Sequence, residues 1–197
     1  MKTNYTKISI EDIKDKLKAC LSQERYEHSL GVMDKAVELA KMFNCDVEKA
    51  QVAGLLHDCA KCVDKDELKR IIDEKGLDKD NCCQGSYKVW HAPVSAYFAE
   101  KEYGVDDAEI LSAIKWHTMG KLNMTLLEKI VYLADKIEER TRETEYRTPI
   151  SDVLSSTGSL DKAILKSFKM TICSLTERDL PICFNTIDVY NQLLSII

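Results

Sequence analysis

The sequence predicts a single all-α domain built as a helical bundle. Only 7 Gly and 3 Pro occur in 197 residues, a scarcity that favours long helices with short connections over a turn-rich β architecture. Apolar residues make up 45% of the chain and charged residues 31%, as in globular proteins. We find no alternating strand pattern and no internal repeat, so helix follows helix along the chain.

Helix-capping residues predict where the individual helices begin. The capping-box spacing, a short polar residue with an acidic residue three positions later, occurs at Ser9 and Asp12, Asp64 and Glu67, and Thr125 and Glu128. Further starts are predicted at Asp46, at Asp106 or Asp107, at Ser159, and at Asn185 with Asp188. Pro93 suits the first turn of a helix that ends at Gly104, and Gly76 is placed to end the helix opened by Asp64.

The second helix is predicted to be central and largely buried. It is expected from about Arg25 to Phe43, with an apolar stripe at Tyr26, Leu30, Met33, Val37 and Ala40, and with Val32 and Leu39 off that stripe. Two segments, residues 78–90 and 139–158, lack a clear apolar period and are predicted as loops, the second with at most one helical turn.

Charge and targeting signals limit the classes of partner. The net charge is −5, so the surface as a whole does not attract nucleic acid, and an anionic substrate needs a local positive site. The N-terminus lacks an apolar signal region and no run approaches membrane-spanning length, so we expect a cytoplasmic protein without a membrane partner. The 8 cysteines are then expected to be reduced. Cys59 and Cys62 form a single C-x-x-C motif, which we interpret as two small residues one helical turn apart.

The four histidines are the most informative feature of the sequence. Each lies on or beside an apolar helix, where an unpaired imidazole is costly; they are His28, His57, His91 and His117. Asp58 follows His57 directly, and Asp135 interrupts the apolar run 130–134. A lone buried histidine is more often a hydrogen-bonded core residue than a metal ligand. The metal prediction therefore depends on all six side chains sharing one site.

The ligand types indicate which metals and which arrangement to expect. Imidazole favours iron, zinc, manganese or cobalt over magnesium or calcium, and six ligands exceed the needs of one tetrahedral structural zinc. They suit two octahedral ions bridged by a carboxylate. Adjacent helical residues point roughly 100° apart, so His57 can bind one ion while Asp58 reaches between two. Lys61 and Arg25, each one turn from a ligand, add positive charge suited to phosphate.

The order His, His-Asp, His, His, Asp resembles that of the HD-domain superfamily of metal-dependent phosphohydrolases. Six segments are more specific, namely residues 25–32, 57–61, 90–94, 117–120, 126–129 and 134–138. They resemble the bacterial YqeK family, whose members are symmetrical diadenosine tetraphosphate hydrolases. The resemblance extends to Pro181, Tyr190 and Asn191 and so covers nearly the whole chain.

The resemblance implies a dinuclear centre, with iron favoured and manganese, cobalt or zinc as alternatives. A hydroxide bridging the metals would attack an inner phosphorus of diadenosine tetraphosphate and release two ADP. Metal ligands would be His28, His57, Asp58 and Asp135, while His91 and His117 would complete the second metal position or contact product phosphates. The catalytic residues would be Asp58, Lys61, His91 and His117.

The resemblance also implies nucleotide contacts, which include the metal-site residues themselves. Arg25, Lys61 and Thr118 would hold phosphate oxygens. The nucleoside would be approached by Pro181, Ile182, Cys183, Phe184, Asn185 and Thr186. Residues 1–22 would be an N-terminal helix packed on the domain, 23–140 the HD core, and 141–197 a loop and helices completing the same domain and nucleotide pocket.

The chain departs from the family pattern after Ile137-Glu138. The family usually has proline next and an arginine two residues later, but this chain has Glu139 and then Thr141 at the arginine position. Arg140 or Arg142 is the candidate replacement.

Two other functions are compatible with the ligand set. One is an HD phosphodiesterase or nucleotidase that acts on another nucleotide. The other is a non-catalytic protein that holds metal and binds a partner, although structural metal sites usually have fewer ligands. A homodimer is compatible with the sequence, which does not determine the oligomeric state.

Overall fold

The computed structural model describes residues 4–78 and 87–197, and these form ten α-helices and one short 3-10 helix, with no strand among them. The all-α prediction is confirmed. The helices are α1 Ile10–Cys20, α2 Gln23–Met42, α3 Val47–Leu56, α4 Lys65–Lys75, α5 His91–Lys101, α6 Ala108–Trp116, α7 Leu126–Ile137, α8 Thr144–Thr157, α9 Leu160–Glu177 and α10 Phe184–Ile196. The 3-10 helix, Tyr87–Val89, lies in the predicted loop 78–90, of which residues 79–86 fall outside the described residues.

Most predicted helix starts are confirmed by cap geometry. The capping boxes at Ser9 and Thr125 are complete, with both reciprocal hydrogen bonds present. Asp46, Asp107 and Ser159 each accept backbone N–H hydrogen bonds at their helix starts. At α4 the side chain of Asp64 accepts from two backbone N–H groups. The Glu67 carboxylate instead pairs with the guanidinium of Arg70, so the capping box predicted for Asp64 and Glu67 is wrong in its second half.

The prediction of a loop over residues 139–158 is wrong, because α8 spans Thr144–Thr157. Tyr146, Ile150 and Leu154 recur at helical spacing and face the core. Pro149 and several Ser and Thr residues obscured this pattern, although Pro149 lies within the helix. Gly158, with φ +62°, ends it in the left-handed conformation that glycine adopts without strain.

The predicted start of the last helix is also wrong in detail. Helix α10 begins after Cys183, which makes no side-chain cap hydrogen bond. The Asn185 amide instead donates to the backbone carbonyl oxygen of Gly120 at 2.8 Å. Asn185 therefore joins the start of α10 to the turn after α6, and it does not cap the helix.

Helix α2 is central, as predicted, but its buried face is turned from the predicted stripe. It begins at Gln23 after Ser22, whose hydroxyl accepts from the backbone N–H of Arg25. Val32, Ala36 and Leu39 are fully buried, and Met33 and Ala40 are buried beside them. Tyr26, Leu30 and Val37 are only half-buried. The same rotation places the polar residues His28 and Ser29 inside the fold.

The packing of α2 against α3 and α7, and of α6 against α5 and α7, forms the frame of the site. One continuous core of Leu, Ile, Val and Ala side chains fills the space between these helices. Tyr132 of α7 and Phe168 of α9 stack with ring centroids 5.2 Å apart, and this contact fixes α9 to the frame. None of the described helices combines the length and apolarity needed to cross a bilayer.

Candidate metal centre

Five helices bring the six predicted ligands to one place in the interior. His28 comes from α2, His57 and Asp58 from the end of α3, His91 from the start of α5, His117 from the end of α6 and Asp135 from α7. All six are buried, with His57 fully inaccessible and the others exposed by no more than 5%. These six residues are distant in sequence, and the fold brings them together in one buried cluster.

All four imidazoles point the same ring nitrogen toward the shared centre. Nδ1 donates to a backbone carbonyl oxygen in three of them: His57 to Gly54, His91 to Lys88 and His117 to Ile114, each at 2.7 Å. In His28, Nδ1 lies 3.1 Å from Oε1 of Glu138. Because Nδ1 carries the proton in the three rings bonded to carbonyl oxygens, their Nε2 is left as a lone-pair donor, which is the form that binds metal ions.

The inward Nε2 atoms face each other in two close pairs. Those of His28 and His57 are 3.3 Å apart, and those of His91 and His117 are 3.2 Å apart. Unprotonated nitrogens at such distances repel each other in a dry interior, and a cation bound by both nitrogens would remove that repulsion.

Asp58 stands between these two imidazole pairs. Its Oδ2 lies 3.6 Å from Nε2 of His57, while its Oδ1 lies 3.1 Å from Nε2 of His91 and 3.4 Å from Nε2 of His117. In the described part of the chain Oδ1 has no hydrogen-bond donor, although it is buried. A buried carboxylate oxygen without a donor is costly, so its surroundings point to a cation ligand.

The donor set fits a divalent metal centre. Two groups have ligand atoms close enough to share an ion: His28, His57 and Asp58 form one, and Asp58, His91 and His117 form the other. Asp135 adjoins the first group, with Oδ1 2.9 Å from Nε2 of His28. Imidazole nitrogens with carboxylate oxygens match the preferences of iron, manganese, cobalt or zinc.

The pKa values of two imidazoles and of both carboxylates favour metal binding at neutral pH. Burial lowers the pKa of His57 to about 3 and that of His91 to about 4, so both imidazoles are unprotonated. Burial opposes ionisation of Asp58, yet the pKa of its carboxyl lies well below its ordinary value. The pKa of Asp135 is likewise lowered, against burial, by Lys136 and Arg142. Both carboxylates are therefore charged.

Glu138 is a residue of the site that the sequence analysis did not identify. Its side chain is fully buried and accepts from the backbone N–H groups of Arg140, Thr141 and Arg142 and from the Thr141 hydroxyl. These bonds, together with that to His28, lower its pKa to about 2 against the effect of burial. The family's Ile-Glu run contained this residue, but a glutamate at a helix end resembles any surface residue.

Cationic side chains surround the ligands unequally. Arg142 donates from Nη2 to Oδ1 of Asp135 and from Nε to that residue's backbone carbonyl oxygen at 2.7 Å. Lys136 donates to Oδ2 of Asp135 at 2.7 Å, and Arg25 lies 3.5 Å from Oδ2 of Asp58. Arg140 instead points to the surface, where it pairs with Glu27 and Asp34. The structure thus brings Arg142, and not Arg140, to the candidate centre.

Of the remaining predicted contacts, Thr118 lies at the second imidazole pair. The Thr118 hydroxyl is 3.0 Å from Nε2 of His117 and 3.3 Å from Nε2 of His91. The segment 181–186 is joined to the turn after α6 by the bond from Asn185 to the carbonyl oxygen of Gly120, two residues after Thr118. Within the segment Thr186 is buried, Pro181 is exposed, Ile182 and Cys183 are half-buried, and Phe184 is 90% exposed. The Phe184 ring therefore contributes nothing to the core.

The comparison with protein families agrees with this arrangement. The family described as HD domain matches residues 25–140, a range that contains all six clustered side chains. The chain belongs to the HD-domain family. The expectation drawn from the order of histidines and aspartates is thereby confirmed.

HD-domain relatives cover almost the whole chain. A protein of Halalkalibacterium halodurans named symmetrical bis(5'-nucleosyl)-tetraphosphatase is 39% identical, over 90% of this chain and 93% of its own length. A Bacillus subtilis protein of the same name is 38% identical, over 91% and 94%. The chain belongs to the family of these relatives.

A crystal structure supports the HD-domain assignment. It is described as a predicted HD superfamily hydrolase involved in NAD metabolism from Clostridium acetobutylicum. It superposes with a TM-score of 0.84 at 38% identity, covering 96% of this chain and 99% of that one. The two proteins therefore share their fold over nearly their full lengths.

Proposed function

We propose that this HD-domain protein hydrolyses diadenosine tetraphosphate symmetrically into two ADP. The observation that carries the proposal is the pair of buried ligand groups that share Asp58. Relatives at 38–39% identity over some 90% of the chain, which are named for this activity, support the choice of substrate. The dinucleotide is the proposed substrate of the site, and ADP its product.

The chain's own residues would hold two divalent ions. His28, His57 and Asp135 would bind one, His91 and His117 the other, and Asp58 both. The ions, for which we propose iron, with manganese, cobalt and zinc as alternatives, would supply Lewis acidity and an activated water. The Nδ1 hydrogen bonds of the four imidazoles hold each ring in the orientation that binding needs, so little reorganisation is required.

Cationic residues at the rim would position the phosphate chain. The Arg25 guanidinium is 43% exposed and lies at the Asp58 side of the centre, where it can reach a phosphate oxygen. Arg142 holds Asp135 and is 30% exposed, so one face of its guanidinium is also accessible. Lys61 is half-buried beside Asp58, and the hydroxyl of Thr118 points toward the second imidazole pair.

The proposed cleavage needs no strong general acid. The leaving group is ADP, whose terminal phosphate is only weakly basic in water. Arg25, Lys61 and Arg142 would stabilise the negative charge that develops on its oxygens, and they would do so in a site largely shielded from water. The chain's contribution is therefore the placement of positive charge and the exclusion of bulk solvent.

Product analysis in ¹⁸O-labelled water tests the proposal. Manganese-loaded protein should convert diadenosine tetraphosphate to ADP alone, with one label for every two ADP molecules formed. Formation of AMP with ATP would contradict symmetrical cleavage. Release of a mononucleotide from other substrates at a higher kcat/KM would instead support a different nucleotidase. Cytoplasmic location, homodimer formation and the domain division stay predictions.

A further inference from the structure

A cationic cleft opens beside His91, at the second imidazole pair. Its volume is about 190 Å³, and it is lined by Lys61, Val63, Lys65, Leu68, Tyr87, Lys88 and His91. Three of these residues are lysines and, among the lining residues, none is acidic. In a protein whose net charge is −5, such a concentration of positive charge indicates a binding site for an anion.

The lysines are held at the cleft by the local fold. Lys65 is the first residue of α4, and its ammonium lies 5.3 Å from the centre of the Tyr87 ring. The nearest acidic neighbour in sequence, Asp64, accepts from the backbone N–H groups of Asp66 and Glu67 and so serves the helix start. In the described part of the chain, neither Lys61 nor Lys65 forms an ion pair.

The cleft is separate from the edge where the nucleoside is expected. Thr118 and the segment 181–186 lie at the turn that follows α6, whereas the cleft is formed by the turn after α3, the start of α4 and the 3-10 helix Tyr87–Val89. Only Lys61 and His91 belong to both the cleft and the proposed catalytic residues.

A symmetrical dinucleotide needs a second binding site for its other nucleoside diphosphate half. Cleavage at the middle of four phosphates leaves an ADP half on each side of the metal pair. Each half carries two phosphates, with about one negative charge per phosphate before cleavage. Lys65 and Lys88 match this charge. Lys61 also lines the cleft and is close enough to Asp58 to feel its charge, so the cleft adjoins the proposed point of cleavage.

We infer that the cleft formed by Lys65, Tyr87 and Lys88 binds the second nucleoside diphosphate half of the substrate. The inference rests on the proposed function. The diphosphate occupies the cleft itself, whose volume is too small for a complete ADP molecule. The ribose and base extend toward Tyr87, a residue that is 49% exposed and that offers an aromatic ring for stacking beside Lys65.

The test replaces the two lysines that take no part in the metal centre. The His91 imidazole bonds to the backbone carbonyl oxygen of Lys88, so a side-chain change leaves that bond in place. The double variant Lys65→Ala/Lys88→Ala should raise KM for diadenosine tetraphosphate about tenfold and change kcat less than twofold. The variant Lys65→Arg/Lys88→Arg should restore KM to within threefold of the original value.

A binding measurement adds a readout independent of turnover. Calorimetric titration of manganese-loaded protein with ADP should show two sites in the original chain and one in the double alanine variant. The control Lys18→Ala/Lys101→Ala removes the same charge from exposed positions of α1 and α5 and should leave KM and both sites unchanged. Manganese affinity should be equal in all four proteins.

The outcomes separate the cleft from the activity itself. Unchanged KM and two remaining ADP sites in the double alanine variant would overturn the inference even if symmetrical cleavage is observed. Absence of cleavage in the original chain would contradict the proposed function, and the ADP stoichiometry would still test the cleft. A single ADP site in the original chain would also overturn the inference.

Discussion

Oε1 of Glu138 lies 3.1 Å from Nδ1 of His28, at the end of α7. The carboxylate is itself fixed by three backbone N–H groups and a hydroxyl from residues 140–142. It therefore holds the His28 ring in the tautomer whose Nε2 faces the centre. The carbonyl oxygens that serve the other three histidines belong to the main chain, whereas Nδ1 of His28 is contacted by two side chains, those of Glu138 and, at 3.2 Å, Thr141.

Replacing Glu138 with Gln should weaken metal binding without removing a ligand. The amide is a poorer acceptor for the Nδ1 proton and brings an N–H group into a cluster of donors, so we expect manganese affinity to fall about 10- to 100-fold. Glu139→Gln is the matched control, because Glu139 is 61% exposed and pairs with Lys35. Equal affinity in both variants, measured by equilibrium dialysis, would rule out a positioning role for Glu138.

Replacing Gly31 of α2 with Ala should displace the Glu138 carboxylate. A Cβ atom at this position would overlap Oε2 of Glu138 and lie 3.3 Å from Cβ of Arg140. In an open helix the change would stabilise by about 1 kcal/mol, but here we expect a loss of about 1–3 kcal/mol and weaker metal binding. Urea unfolding of the metal-free protein measures the first effect.

A double-mutant cycle isolates the overlap between these two positions. Adding Gly31→Ala to a Glu138→Ala background should cost little, because the carboxylate that blocks the new methyl group is gone. An equal loss in both backgrounds would show that Gly31 acts through another contact.

The two arginines after α7 should differ sharply when replaced by Ala. Arg142 contacts Asp135 through its side-chain carboxylate and its backbone carbonyl, whereas Arg140 pairs with exposed acidic residues. We expect Arg142→Ala to lower kcat/KM at least 100-fold and Arg140→Ala to lower it less than threefold. Steady-state kinetics on the two manganese-loaded variants provides the comparison. The reverse order would contradict the proposed phosphate contact.

The metal-free protein should lose stability as the pH falls below neutral. The pKa values of His57 and His91 lie at about 3 and about 4, below the ordinary value of 6.5. As the pH falls from 6.5 to 4, these two histidines therefore take up protons in the unfolded chain but not in the folded chain, which favours unfolding. The His28 pKa is raised, because its bonds to Asp135 and Glu138 outweigh burial, and it opposes this loss. The lowered pKa values of His57 and His91 together outweigh the raised pKa of His28, so the net effect of acid is a loss of stability.

Thermal unfolding in chelator at several pH values tests this prediction. We expect Tm to fall steadily from pH 7 to pH 4, with His91 contributing on the order of 3 kcal/mol to the change. The variant His91→Gln should show a shallower fall. A Tm that rises toward pH 4 would indicate that the imidazoles are protonated in the folded metal-free chain.

The cluster of six side chains was predictable from sequence because each member is a polar residue in an apolar setting. Burial of His28 or Asp135 needs a partner, and a common metal site supplies one for all. Glu138 gave no such signal, since it follows the apolar run at a helix end. Its importance comes from the turn over residues 138–142, which bends three N–H groups toward it.

Sequence spacing also gave wrong or ambiguous predictions where tertiary packing determines the structure. Helix α8 contains Pro149 and weak helix formers, and its stability comes from burying Ile150 and Leu154 against the core. The choice between Arg140 and Arg142 depends on the direction in which the chain leaves α7, which sequence spacing does not determine. Both arginines are equally plausible on sequence grounds alone.

The central claim is that the six buried side chains hold two metal ions that share Asp58. The most direct measurement is the number of manganese ions bound per chain after equilibrium dialysis, determined by elemental analysis for the original protein and for Asp58→Asn. We predict two ions per chain in the original protein and a loss of both high-affinity sites in the variant. One ion in the original protein, or two retained by Asp58→Asn, would contradict the account.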